Sequence, residues 1–199
     1  MRKLHGTFIG FCGAGGVGKT STALSLCEKL ADYEFLPSVS RAVFARRGVE
    51  SEEAQLNMTP QERWELQRDI QMSHLNESLK LSGQKRIADR TQMDQFAYAL
   101  QYCHEVLTAR DLADLMDFVD AAISQYRLVF YFPLTTFPGQ TDGMRTSSFG
   151  SRMLFDRTLR GIIEMFQVPT IEVPIMNIGS RCTFIIENMS ARGLPYNRA

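Results

Sequence analysis

Apolar residues recur along this chain in two rhythms. Two short unbroken runs, residues 7–12 (TFIGFC) and 128–132 (LVFYF), have the length and composition of buried strands. Longer stretches repeat at helical spacing. Ala23, Leu24, Leu26, Cys27 and Leu30 give one apolar face to a helix predicted over 19–33. Leu112, Leu115, Met116, Val119 and Ile123 do the same for a helix over 109–125. Weaker strand signals lie at 35–40, where Pro37 predicts a sheet edge, at 87–89, and at 170–173. Thr59 as N-cap, Pro60 behind it and Glu62 three residues on predict a helix start, with an end near residue 81 before Gly83. Further helices are predicted over 93–107, 151–166 and 178–189, and a short helix with a loop over 42–53. Residues 134–150, rich in Thr, Ser and Gly, predict a mobile connection.

Strands alternating with helices predict an α/β fold, a parallel sheet with helices on both faces. Such sheets bind ligands beyond the carboxyl ends of their strands. Two segments that carry chemistry fall at such ends: a glycine-rich run after the first strand, and Asp89-Arg90 after the third.

Gly13-Ala14-Gly15-Gly16-Val17-Gly18-Lys19-Thr20 fits G-x-x-x-x-G-K-[ST]. Glycines let the backbone turn its N–H groups inward around phosphate oxygens. Lys19 then reaches the β- and γ-phosphates, and the Thr20 hydroxyl ligates Mg²⁺. The helix opening through Lys19, Thr20 and Ser21 adds the positive end of its dipole. The same segment also reads G-x-G-x-x-G at Gly13, Gly15 and Gly18. However, Lys19-Thr20 follows directly, and Asp32 and Glu34 come too early to read a ribose. The motif therefore predicts a triphosphate cradle for ATP with magnesium.

Composition narrows the setting. A length of 199 residues fits one domain over 1–199, with a lid at about 134–160. The formal charge is zero, so no global basic field draws in nucleic acid. Four cysteines, at 12, 27, 103 and 182, form no CxxC pair and fit reduced thiols in a cytoplasmic protein. No stretch approaches the ~20 apolar residues of a membrane span. The amino-terminal apolar run ends in glycines, not at a cleavage site.

The residues downstream decide what happens to the phosphate. Asp89 is a candidate to hold Mg²⁺ or take an acceptor's proton, and Arg90 to clamp an acceptor phosphate. Asp142-Gly143-Met144-Arg145, then Arg152, Arg157 and Arg160, make a cationic segment suited to a closing lid. The plainer alternative is a solvated helix face, with Asp156 paired to Arg152 or Arg160. Arg41, Arg46 and Arg47 follow the second strand and either bind an anionic acceptor or coat a loop. Trp64, Phe96 and Tyr98 read as core before they read as base-stacking residues.

Taken together, the strand–GxxxxGKT–helix, Asp89-Arg90, Asp142-Gly143-x-Arg145 with Arg152 and Asp156, and Arg41 resemble the small P-loop kinases. These include the ribosylnicotinamide kinase-like ATPase-domain family and its relatives, the deoxynucleoside and thymidylate kinases, a type that bacteriophages often encode. The resemblance spans residues 5–175. It implies a three-layer P-loop fold with a five-stranded parallel sheet in the order 2-3-1-4-5 and a mobile lid. It also implies Lys19, Asp89, Arg90, Arg145 and Arg152 as catalytic residues, Thr20 and Asp89 at Mg²⁺, and Arg41, Asp89 and Arg90 at the acceptor. Relatives often carry a carboxylate near the end of the second strand; Pro37-Ser38-Val39-Ser40-Arg41 has none. That departure favours an acceptor already bearing phosphate, such as a (deoxy)nucleoside monophosphate. Two alternatives stay open: a kinase of hydroxymethyl pyrimidines in DNA, and a nucleotide-driven switch or assembly ATPase. No membrane partner is expected, and a homodimer is compatible with the sequence.

Overall fold

All six residues of β1 (Phe8–Gly13) are buried. Its neighbours explain why. β3 (Arg86–Asp89) pairs along one side and β4 (Tyr126–Phe132) along the other, both in parallel. β2 (Glu34–Leu36) and β5 (Thr170–Glu172) form the edges of a five-stranded parallel sheet in the order β2-β3-β1-β4-β5. This is the implied order. The computed structural model describes residues 3–52, 54–135 and 148–197. The Asp142-Gly143-x-Arg145 element therefore lies outside the described residues.

Helices cover both faces. α1 (Lys19–Cys27) packs on β1, β2 and β3 and against α7 (Ile178–Ala191). α4 (Gln92–Cys103) packs on β1 and is flanked by α3 (Pro60–Lys80), α5 (Ala109–Ile123) and α6 (Phe149–Met165). The centre is aromatic: Phe8, Phe11, Tyr126, Phe130 and Phe132 are all fully buried. Phe11 meets Phe130 edge-on at 6.0 Å between centroids. A smaller core of Val43, Phe44, Leu66 and Ile70 joins α2 (Ser40–Arg47) to α3.

Three helices open on the same local device. Thr59 with Glu62, Thr91 with Asp94, and Thr108 with Asp111 each form a reciprocal capping box at α3, α4 and α5. Each satisfies amide donors that the helix leaves without partners.

Several boundaries differ from the sequence expectation. α1 ends at Cys27, where the Lys29 amide turns onto the Leu26 carbonyl at 3.0 Å, and the Ala31 amide beyond it donates to the Asn197 carbonyl at 2.9 Å. Periodicity cannot register a pairing with the far end of the chain. α4 ends at Cys103, where the amides of Val106 and Leu107 turn back onto its carbonyl before Thr108 caps α5. β2 stops at Leu36, one residue ahead of Pro37. Met116 is 40% exposed and stands off the buried stripe of α5. α6 already begins at Phe149, so residues 149–160 of the expected lid are helical.

Candidate functional site

The glycine loop leaves β1 under tight steric limits. A Cβ at Gly13 would lie 2.4 Å from the Phe132 carbonyl oxygen, and its φ of 140° belongs to glycine. The Gly13 amide donates to Asp94 Oδ1 at 3.0 Å, which ties the loop entry to α4. Asp94 is fully buried, and its other oxygen accepts from the amide and the hydroxyl of Thr91, both at 2.8 Å. Lys19, 5% exposed, lays its Nζ across the loop, donating to the carbonyls of Gly13 and Ala14 at 2.7 Å each.

The parallel register sets Phe11 opposite Asp89, so the end of β3 emerges beside the loop. Thr20 Oγ1 donates to Asp89 Oδ2 at 2.5 Å. A hydroxyl and a carboxylate are hard oxygen donors, the type Mg²⁺ takes while keeping its other positions for phosphate and water. These two residues fit that ion.

Arg90 follows in a left-handed conformation, φ 88°, which costs a non-glycine residue about 1–2 kcal/mol. Its amide is held by the Phe11 carbonyl at 2.9 Å. The strained backbone aims the guanidinium over the Tyr98 ring at 4.8 Å, with Asp94 at 3.9 Å and Glu52 at 4.0 Å. Burial works against its charge, but Tyr98, Asp94, Glu52 and Asp89 more than offset that and raise its pKa. The cation is fixed.

A cavity of about 510 Å³ joins the two halves. Gly16, Gly18, Lys19, Thr20 and Ser21 line one side; Arg41, Glu52, Asp89 and Arg90 line the other. Gly15 borders a separate crevice with Tyr98 and Arg152. Arg152 is 8% exposed, and among the described residues its Nε and Nη2 have no hydrogen-bond partner. Burial lowers its pKa, opposed by Tyr98.

Other expectations separate here. Arg46 and Arg47 pair with Asp69 on α3 and coat that surface. Arg160 stacks on Tyr131 at 4.3 Å and pairs with Asp156 and Glu172, outside the lining of the loop cavity. Trp64 and Phe96 are core, whereas Tyr98 underlies Arg90. Two residues escaped the sequence reading. Glu52 comes from an irregular loop with no motif. Asp94 carried a legible signal, the acid three residues after Thr91, but not its bond to Gly13.

The parallel order, the glycine loop and the Thr20–Asp89 pair together define a P-loop domain. A family model described as an AAA domain matches residues 8–181, and the chain belongs to that family. Among curated proteins none matches the sequence. Solved structures share the fold. Thymidylate kinase from Candida albicans superposes with a TM-score of 0.69 at 14% identity, covering 99% of each chain. The NadR protein in complex with NR gives 0.68 at 13% identity, over 98% of this chain and 53% of that one. Deoxyadenosine kinase from M. mycoides with bound dCTP gives 0.64 at 14% identity, over 92% and 99%. Among the described residues no helix is long and apolar enough to cross a membrane.

Proposed function

We propose that the protein is an ATP-dependent kinase that passes the γ-phosphate to a (deoxy)nucleoside monophosphate or similar nucleotide. One observation carries the reading: a single cavity runs from the phosphate loop to a fixed, buried Arg90 beside Asp89, with Arg41 at its edge. The fold likeness to thymidylate and deoxyadenosine kinases supports it. Lys19 and the loop amides would hold the β- and γ-phosphates, and Thr20 and Asp89 would hold Mg²⁺, which neutralises charge on the transferring group. Arg90 and Arg41 would position the acceptor, and Arg152 would meet the charge that develops in transfer. Arg145 joins it in this proposal, on a lid over 134–160. Positioning and charge neutralisation then supply most of the catalysis.

Glu52 supports a second reading, in which the acceptor presents a hydroxyl. It brings to the cavity the carboxylate that the end of β2 lacks. A carboxylate within reach of a hydroxyl can accept its proton.

The test is ADP formation with a panel of nucleosides, monophosphates and hydroxymethylated DNA. Acceleration by monophosphates supports the first reading, and acceleration by nucleosides that is lost in Glu52→Gln supports the second. ATP consumption that no acceptor changes would leave a switch or assembly ATPase instead.

A further inference from the structure

α7 reaches the phosphate loop from the far end of the chain. Arg181, in its first turn, donates from Nη1 to the Val17 carbonyl at 2.8 Å. Its guanidinium carbon lies 5.7 Å from the centre of the Phe132 ring, at the end of β4. Its Nε is buried with no hydrogen-bond partner among the described residues. The same Nη1 stands 2.5 Å from where a Cβ on Gly18 would lie. The side chain therefore fills the space against the last loop glycine.

A trans peptide points its carbonyl and its N–H in opposite directions, and the described chain contains no cis bond. Fixing the Val17 carbonyl on Arg181 therefore fixes where the Gly18 amide points. Arg181 holds that carbonyl toward α7, so the Gly18 amide, on the opposite edge of the same trans peptide, points away from α7. Gly18 sits at φ 90°, ψ 18°, a conformation with alternatives open to glycine, so the loop needs an external constraint at this peptide. Asp94 constrains the entry at Gly13, and Arg181 constrains the exit.

We propose that Arg181 is a positioning residue of the phosphate loop, holding the Val17–Gly18 peptide so that the Gly18 amide faces the bound phosphates. It acts through the loop backbone and reads no base. The proposal rests on the triphosphate-cradle reading and needs no acceptor.

The experiment measures affinity for magnesium inorganic triphosphate and for magnesium ATP in wild type, Arg181→Ala and Arg181→Lys. Losing one ordered hydrogen bond predicts about tenfold weaker binding of both ligands in Arg181→Ala, by the same factor. The loss persists at about 1 M salt, where long-range charge effects are screened. Added guanidinium restores part of it, and Arg181→Lys, whose ammonium can still donate but lacks the planar fork, falls between. An Arg181→Ala protein that binds inorganic triphosphate within twofold of wild type overturns the proposal, whatever happens to ATP. So does a loss that vanishes at high salt. Should Arg181→Ala fail to fold, Arg181→Lys and its salt series carry the same comparison. Wild type that binds neither ligand would instead defeat the cradle itself.

Discussion

Asp89 and Asp94 are both carboxylates, five positions apart, and their surroundings give them different work. Asp89 meets the Thr20 hydroxyl and opens on the cavity. Asp94 is sealed in, spending its oxygens on Gly13 and Thr91 while facing Arg90. Asp89→Asn should lower kcat by about a hundredfold or more, as loss of a charge at the reacting centre does. Folding should be unchanged, and steady-state kinetics beside a thermal melt check both. Asp94→Ala should lower unfolding stability by about 3 kcal/mol, because it strips a buried guanidinium of a compensating charge; urea denaturation reads this directly. Of the residues that line the cavity, Lys19, Thr20, Asp89 and Arg90 carried a signal in sequence, because each sits at a motif or a strand end, whereas Arg152, inside α6, stood out only as part of a cationic run. Glu52 was not: a lone acid in an irregular loop enters the cavity only through the packing of α2 and α3.

At the scale of elements, local chemistry and long-range pairing leave separate marks. The Thr59–Glu62 box was readable and stands at the start of α3. The boxes at Thr91 and Thr108 use the same spacing and were equally readable. The ends of α1 and α4 were not, since the chain turns there onto Leu26 and Cys103, and Ala31 then pairs with Asn197 at the far end of the chain. Thr59→Ala should cost about 1 kcal/mol of stability with no change in nucleotide binding. Thr91→Ala should cost a similar amount and also weaken nucleotide binding, because its partner Asp94 holds the phosphate loop. Urea melts and ATP titrations on the pair separate a cap that only stabilises from one that also positions the loop.

Across the whole molecule, a buried polar seam couples α3 to α4, whose amino-terminal residues lie close behind Arg90. His74 Nδ1 meets Gln92 Oε1 at 2.8 Å, and Gln71 reaches the Gln95 carbonyl at 3.2 Å. Burial lowers the His74 pKa, with Gln92 and the Arg90 backbone opposing, then Asp94, while the Arg90 charge adds to the lowering. The unfolded chain takes up a proton near pH ~6.5 that the native chain refuses. Stability from this group is therefore complete above about pH 6.5 and falls as pH drops below it, with a slope approaching ~1.4 kcal/mol per pH unit. Urea midpoints at about pH 7.5 and 5.5 should differ more in wild type than in His74→Gln. The phosphate loop and the fixed Arg90 share one cavity. The most direct test of phosphoryl transfer there follows the γ-phosphate of labelled ATP in the presence of the most active acceptor. Label should appear in the acceptor, one for each ADP formed, and should be lost in Arg90→Ala. Label recovered only as inorganic phosphate, at a rate no acceptor alters, would contradict that transfer.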